Sequence, residues 1–160
     1  MNKMEKIWHS NLSKFLKVQF FRATVESVLL YGAECWTLTK KMTNRLDGTY
    51  TRILRVVLRV SWKDHMTNRE LYGNLPKITE TLRIRRLKFI GHSWRSKNEL
   101  ISKLLLWEPK QGRQNVGRPS RTYIDQLRND TGLSTEELKI ILEDRDEWRK
   151  LVNDVRVRSK

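Results

Sequence analysis

The chain has 160 residues, 38% hydrophobic and 32% charged, with 33 Lys/Arg against 18 Asp/Glu and a formal net charge of +15. That length suits one domain or two small intimate ones, and that charge speaks to solubility and partners, not to fold. No apolar run reaches the roughly 18 residues of a membrane span, no secretory h-region precedes the first helix, and Cys35 is the lone cysteine, so a bilayer span and an internal disulfide are excluded and nucleus or cytoplasm is the expected compartment.

Leu12, Phe15, Leu16, Phe20, Ala23, Ser27 and Leu30 recur at three- and four-residue steps and predict an amphipathic helix from about Asn11 to Glu34. Met42, Leu46, Tyr50, Ile53, Leu54 and Val57 predict a second, from Thr39 as N-cap to about Val60, with Gly48 as a local weakness. Residues 61–76 read as a connector with a short helix near Thr67–Tyr72. The helical pattern returns from Lys77 to about Trp94 through Ile78, Leu82, Arg86, Phe89 and Ile90, and Leu100–Trp107 forms a short apolar helix. Pro109, Gly112 and Gly117 mark residues 108–118 as a loop, and Pro119 suits the first turn of a new helix. Gly132 ends that helix. Ser134 and Glu137 make a capping box that opens a closing helix over residues 134–156, with Leu138, Ile141, Leu142, Arg145, Trp148 and Val152 on one face. No alternating strand pattern or heptad array stands out. The expected fold is therefore all-α: a multi-helix array of about six to eight helices with a basic loop in its C-terminal half, divided near residue 76.

The charge is concentrated. Residues 77–128 carry 13 Lys/Arg against 4 Asp/Glu, whereas residues 129–160 carry 7 against 8. From Leu82 to Asn98 there is no acid at all, although Arg83, Arg85, Arg86, Lys88 and Arg95 fall there. A merely solvated helix face usually interleaves acids, so phosphate contact is the favoured explanation. Gly91-His92 offers a helix end. His92 is either a packing histidine or, with Arg95, a phosphate contact, and Trp94 is either core, the favoured reading, or a base-stacking platform. In the loop, Arg113, Arg118 and Arg121 charge a narrow tip around Gly117 and Pro119, which is either a plain turn into a helix or a groove-entering arm. Arg145 falls on an apolar stripe beside Trp148, so its guanidinium is expected to point inward against a carboxylate, with Asp144, Asp125 or Asp130 as candidates.

Catalytic chemistry finds no support in the residues. His9, Cys35, His65 and His92 lack metal-ligand spacing, and no cofactor is expected. Residues 112–118 echo a phosphate loop, but Arg118 and Pro119 stand where lysine and Ser/Thr are required. Asp144 and Asp146 are two apart and diverge on a helix.

In order, Leu29-Leu30-Tyr31-Gly32-Ala33-Glu34-Cys35-Trp36, Arg52-Ile53-Leu54-Arg55, Arg85-Arg86-Leu87, Gly91-His92 with Arg95, Gly117-Arg118-Pro119, and Asp144-Arg145 with Trp148-Arg149 resemble the tail of a LINE-type retrotransposon reverse transcriptase, from about Phe20 to Val152. The resemblance implies a thumb-like segment over 1–76 and a downstream basic helical region over 77–160 that holds template RNA or target DNA beside the polymerase. It departs from the family in lacking the Tyr/Phe-Xaa-Asp-Asp motif, the endonuclease and a Cys/His knuckle, and in having Phe89 where tryptophan is frequent. The expectation is a fragment or truncated copy that binds RNA or DNA through phosphates without catalysis. The alternative is a helical interaction module that packs on the remainder of a reverse transcriptase or forms oligomers.

Overall fold

The computed structural model describes residues 4–96, 99–107 and 122–158. These are mostly helical, and no strand occurs among them, so the all-α expectation holds. The helices are α1 (Glu5–His9), α2 (Lys14–Phe21), α3 (Ser27–Leu29), α4 (Lys40–Val57), α5 (Asn68–Tyr72), α6 (Ile78–Arg95), α7 (Glu99–Leu105), α8 (Tyr123–Thr131), α9 (Thr135–Glu143) and α10 (Arg145–Arg158). The chain divides into two compact units. One comprises Met1–Ala33 and Thr39–Thr79, the other Glu34–Leu38 and Glu80–Lys160.

The first unit departs from the predicted helical stripe. A π-helical turn, Arg22–Glu26, joins α2 to α3. The wider turn moves the buried face: Lys17, Phe21, Glu26 and Leu30 lie inside, while Leu12, Phe15 and Leu16 are exposed. Phe21 and Glu26 are five residues apart, the spacing of a π turn rather than an α turn. Phe21 meets Tyr50 of α4 with ring centroids 5.4 Å apart, and Tyr50 stacks on Tyr72 of α5. The buried polar groups are matched. Glu26 accepts the Tyr50 hydroxyl at 2.9 Å and lies 3.5 Å from the Arg22 guanidinium, and Lys17 donates to the Trp8 carbonyl at 2.8 Å. Burial, then the Glu26 charge, pushes the Tyr50 phenol far above its ordinary range, so it stays a donor.

Thr39 caps α4 as expected, accepting the Met42 N–H. The helix ends on a positive-φ arginine: Arg59 has φ 57°, its N–H bonds Val56 O at 3.1 Å, and Val60 N–H bonds Arg55 O at 2.8 Å. This is the six-to-one and five-to-two closure that glycine usually serves. Arg55 fastens the connector by donating to Met66 O at 2.8 Å and Asn68 Oδ1 at 2.9 Å. Thr67 and Glu70 box the start of α5. Asp47 on α4 accepts the Thr79 N–H at 3.2 Å and its hydroxyl at 2.9 Å, satisfying an open donor at the start of α6.

The second unit is built around Leu87 and Ile90 of α6, Leu105 of α7, Leu127 of α8, Leu138 and Leu142 of α9, and Trp148, Val152 and Val155 of α10. Thr122 with Asp125 opens α8, so Pro119 is not its first residue; Pro119 itself lies outside the described residues. Gly132 closes α8 at φ 78°, and Ser134 with Glu137 opens α9, both as predicted. The single closing helix over 134–156 is corrected: it is two helices, broken at Asp144, whose backbone is extended at ψ 115°. The Asp144 carboxylate caps α10 by accepting the Asp146 N–H at 2.8 Å and the Glu147 N–H at 3.1 Å. Segment 34–38 belongs to this unit through two carbonyls: Trp36 O accepts from Arg86 and Glu34 O accepts from the Tyr123 hydroxyl, each at 3.0 Å.

Candidate functional site

An α-helix turns about 100° per residue, so cations at positions 83, 85, 86, 88 and 95 of α6 point in several directions. The structure separates them into two groups. Arg86 points inward and is 1% exposed. It forms an ion pair with Asp130 of α8 and donates a second nitrogen to Trp36 O. Arg83 reaches the same carboxylate, Nε to Oδ1 at 3.5 Å, and Gln126 donates to it at 3.1 Å. Placing Arg86 on a phosphate is therefore corrected: it is a buried structural arginine, because burying a guanidinium is tolerable only against a carboxylate. Arg83 shares that carboxylate and is likewise drawn into the structural pair. Arg85 is half-buried and His92 exposed, and neither joins the site below.

The second group is Lys88 and Arg95. They lie two helical turns apart, with Gly91 between them. Helix α6 runs to Arg95, close to the predicted bound near Trp94, and passes through Gly91-His92, the earlier end that the sequence also offers. The reason for glycine is packing. A Cβ at position 91 would fall inside the Trp148 indole, whereas the bare backbone lets the indole close in and donate Nε1 to Leu87 O at 3.0 Å. That contact draws α10 against α6 and brings Arg145 and Arg149, one turn apart on α10, towards Lys88 and Arg95. The result is a pocket of about 150 Å³ lined by Lys88, Arg95, Arg145, Trp148, Arg149, Val152 and Asn153.

Four cations and no carboxylate line it. Arg95 is held by donating to Leu142 O at 3.0 Å. Arg149 lies 3.6 Å from Asp146, a pair exposed on both sides that contributes little. Asp144 is engaged elsewhere. The Glu147 N–H, then that of Asp146, holds its carboxyl below the ordinary range. Arg145 is exposed, which corrects its expected inward position: the break at Asp144 restarts the helix and places Arg145 in a first turn open to solvent. Among the described residues no carboxylate comes within ion-pair distance of it. A concave surface with one sign of charge focuses an anion and offers it several donors at once.

Of the residues expected at phosphates, the structure thus brings together Lys88 and Arg95. It adds Arg145 and Trp148, expected to be structural only, and Arg149 and Asn153, to which the sequence pattern attaches no role. Arg113, Arg118 and Arg121 lie outside the described residues. A signal for Arg149 is present in the sequence: aspartate followed three residues later by glutamate is a helix start, and from that start Arg145, Arg149 and Val152 fall on one face. Among the described residues no cluster of His, Cys, Asp or Glu could hold a metal ion, and no helix is long and apolar enough to cross a membrane.

The chain is 25% identical, over 148 residues and 84% of its length, to a Caenorhabditis elegans protein described as transposon-derived and uncharacterised. It spans about half the length of that relative, 53%. No protein-family model and no solved structure matches it. Likeness to a transposon-derived protein over most of the chain is the extent of the kinship.

Proposed function

We propose that the chain is a non-catalytic nucleic-acid-holding segment of a transposon-derived reverse transcriptase, which grips the sugar–phosphate backbone of RNA or DNA in the nucleus or cytoplasm. The observation that carries this reading is the pocket between α6 and α10, where four cations converge with no acid among them. Its size suits a single oxyanion, so one phosphoryl group would seat there while the remaining positive surface follows the strand. The +15 charge and the likeness to a transposon-derived protein support the same class of partner.

Such binding discriminates poorly between sequences and weakens as salt rises, because each neutralised phosphate releases counterions. Filter binding to RNA and to duplex DNA across a salt series tests it. Arg145→Gln with Arg149→Gln should weaken binding to every sequence alike and lower the log–log salt slope by about 1–2. Binding that ignores salt, or a double variant indistinguishable from the parent chain, rejects the proposal.

A second reading is favoured by a different observation. Leu12 is 44%, Phe15 69% and Leu16 50% exposed around α2, an apolar face suited to another helical surface such as the remainder of a reverse transcriptase. Sedimentation and hydrophobic-dye binding test it. A monomer that binds little dye counts against it.

A further inference from the structure

The connector between α4 and α5 presents a tryptophan to solvent. Trp62 is 78% exposed, the most exposed of the large aromatic rings after Tyr31. It is not there as a loose side chain on a loose loop. Residues Trp62–Asp64 form a 3₁₀ turn closed by a capping box, in which Ser61 accepts the Lys63 N–H at 3.4 Å and Asp64 accepts the Ser61 N–H at 2.7 Å. Positive-φ residues bracket the turn, Arg59 at 57° and His65 at 47°. Just beyond it, Arg55 of α4 holds Met66 and Asn68. The chain therefore fixes the backbone on both sides of an indole that it does not bury.

The chemistry around the ring is cationic. Lys63 Nζ sits over the indole, 5.9 Å from its centroid. Arg52, Arg59 and Arg69 lie exposed in the same stretch of chain. The acids of that stretch are engaged at helix starts: Asp64 at Ser61, and Glu70 at Thr67, whose backbone N–H holds the Glu70 carboxyl below its ordinary range. An exposed aromatic face on a fixed backbone, with a lysine beside the ring and further exposed arginines in the same stretch of chain, is an arrangement that can stack a base while a charge meets its phosphate.

We propose that Trp62 is a stacking surface for an unpaired nucleobase, so that the turn is a contact for single-stranded nucleic acid. The ligand class rests on the nucleic-acid reading above, whereas the position rests on the turn alone. A base in a duplex keeps its faces against its neighbours and cannot use the ring, which makes the contact selective for unpaired strand.

The test uses the full chain and three labelled probes of equal length, each across the same salt series: oligothymidylate, an abasic strand and a duplex. Trp62→Ala is expected to weaken oligothymidylate binding about tenfold, leave the abasic strand and the duplex within twofold, and leave the log–log salt slope unchanged. Trp62→Phe should recover most of the loss. An equal loss on the abasic strand would make the residue's role electrostatic or structural and overturn the proposal. So would unchanged oligothymidylate binding, or a change in sedimentation showing that the ring serves a protein contact. If the parent chain binds all three probes and Trp62→Ala alters none, the stacking contact falls alone. If the parent chain binds none, the nucleic-acid reading falls with it.

Discussion

Helix α6 shows two fates for the same kind of residue. Towards α8, Arg86 is buried against Asp130, and the partly exposed Arg83 reaches the same carboxylate. Towards α10, Lys88 and Arg95 meet Arg145 and Arg149, and no carboxylate lines the pocket they share. A cluster of arginines is thus not a binding surface in itself. What separates structure from function is whether the fold delivers a buried acid, and here the deciding acid arrives 44 residues downstream of Arg86.

The contrast can be broken from either side. The largest effect is expected at Asp130→Ala, which leaves the Arg86 guanidinium buried without its partner and should destabilise the chain by about 3–5 kcal/mol. Urea denaturation measures this, and a loss under about 1 kcal/mol would mean that Arg86 escapes to solvent and could reach a ligand after all. Gly91→Ala comes next. The added methyl meets the Trp148 indole and should cost about 1–3 kcal/mol through overpacking, while also opening the pocket and weakening nucleic-acid binding. If stability falls but binding does not, the pocket is not the gripping surface. In the Arg145→Gln, Arg149→Gln double variant the unfolding midpoint should stay put, since exposed cations away from packed contacts change stability by about 0.5 kcal/mol or less. A large stability loss there would erase the distinction between the two groups. The smallest effect concerns α4: Arg59→Gly relieves a left-handed arginine and should raise stability by about 0.5–1 kcal/mol. A stability loss would show that the Arg59 side chain makes a contact that outweighs its backbone.

Local signals are readable from the sequence. The caps Thr39, Ser134 with Glu137, and Gly132 depend on groups within a few residues of the backbone they satisfy, and the structure has each of them. The helices near Thr67–Tyr72, Lys77–Trp94 and Leu100–Trp107 are likewise legible from periodicity. Two kinds of feature are not. A π turn adds a residue to one turn of helix, so a stripe traced at three- and four-residue steps leaves the true buried face; such a stripe puts Phe15 inside and passes over Glu26. Partners distant in sequence are also hidden: nothing beside Arg86 announces Asp130, and nothing beside Gly91 announces Trp148. Of the site, half is legible. The acid-free run draws attention to Lys88 and Arg95, but Arg145 and Arg149 require knowing that Asp144 starts a helix rather than continuing one.

The assignment of Glu34–Leu38 to the second unit has a practical consequence for anyone shortening this chain. The two bodies are interlaced along the polypeptide, which leaves one for five residues and then returns. A cut near residue 80 would strip Arg86 and Tyr123 of the acceptors that Trp36 and Glu34 supply, although both donors stay in the piece retained. Dissecting the molecule into independently soluble halves therefore means grafting that short strip back on, and a linear deletion series should show its sharpest drop in yield when residues 34–38 go.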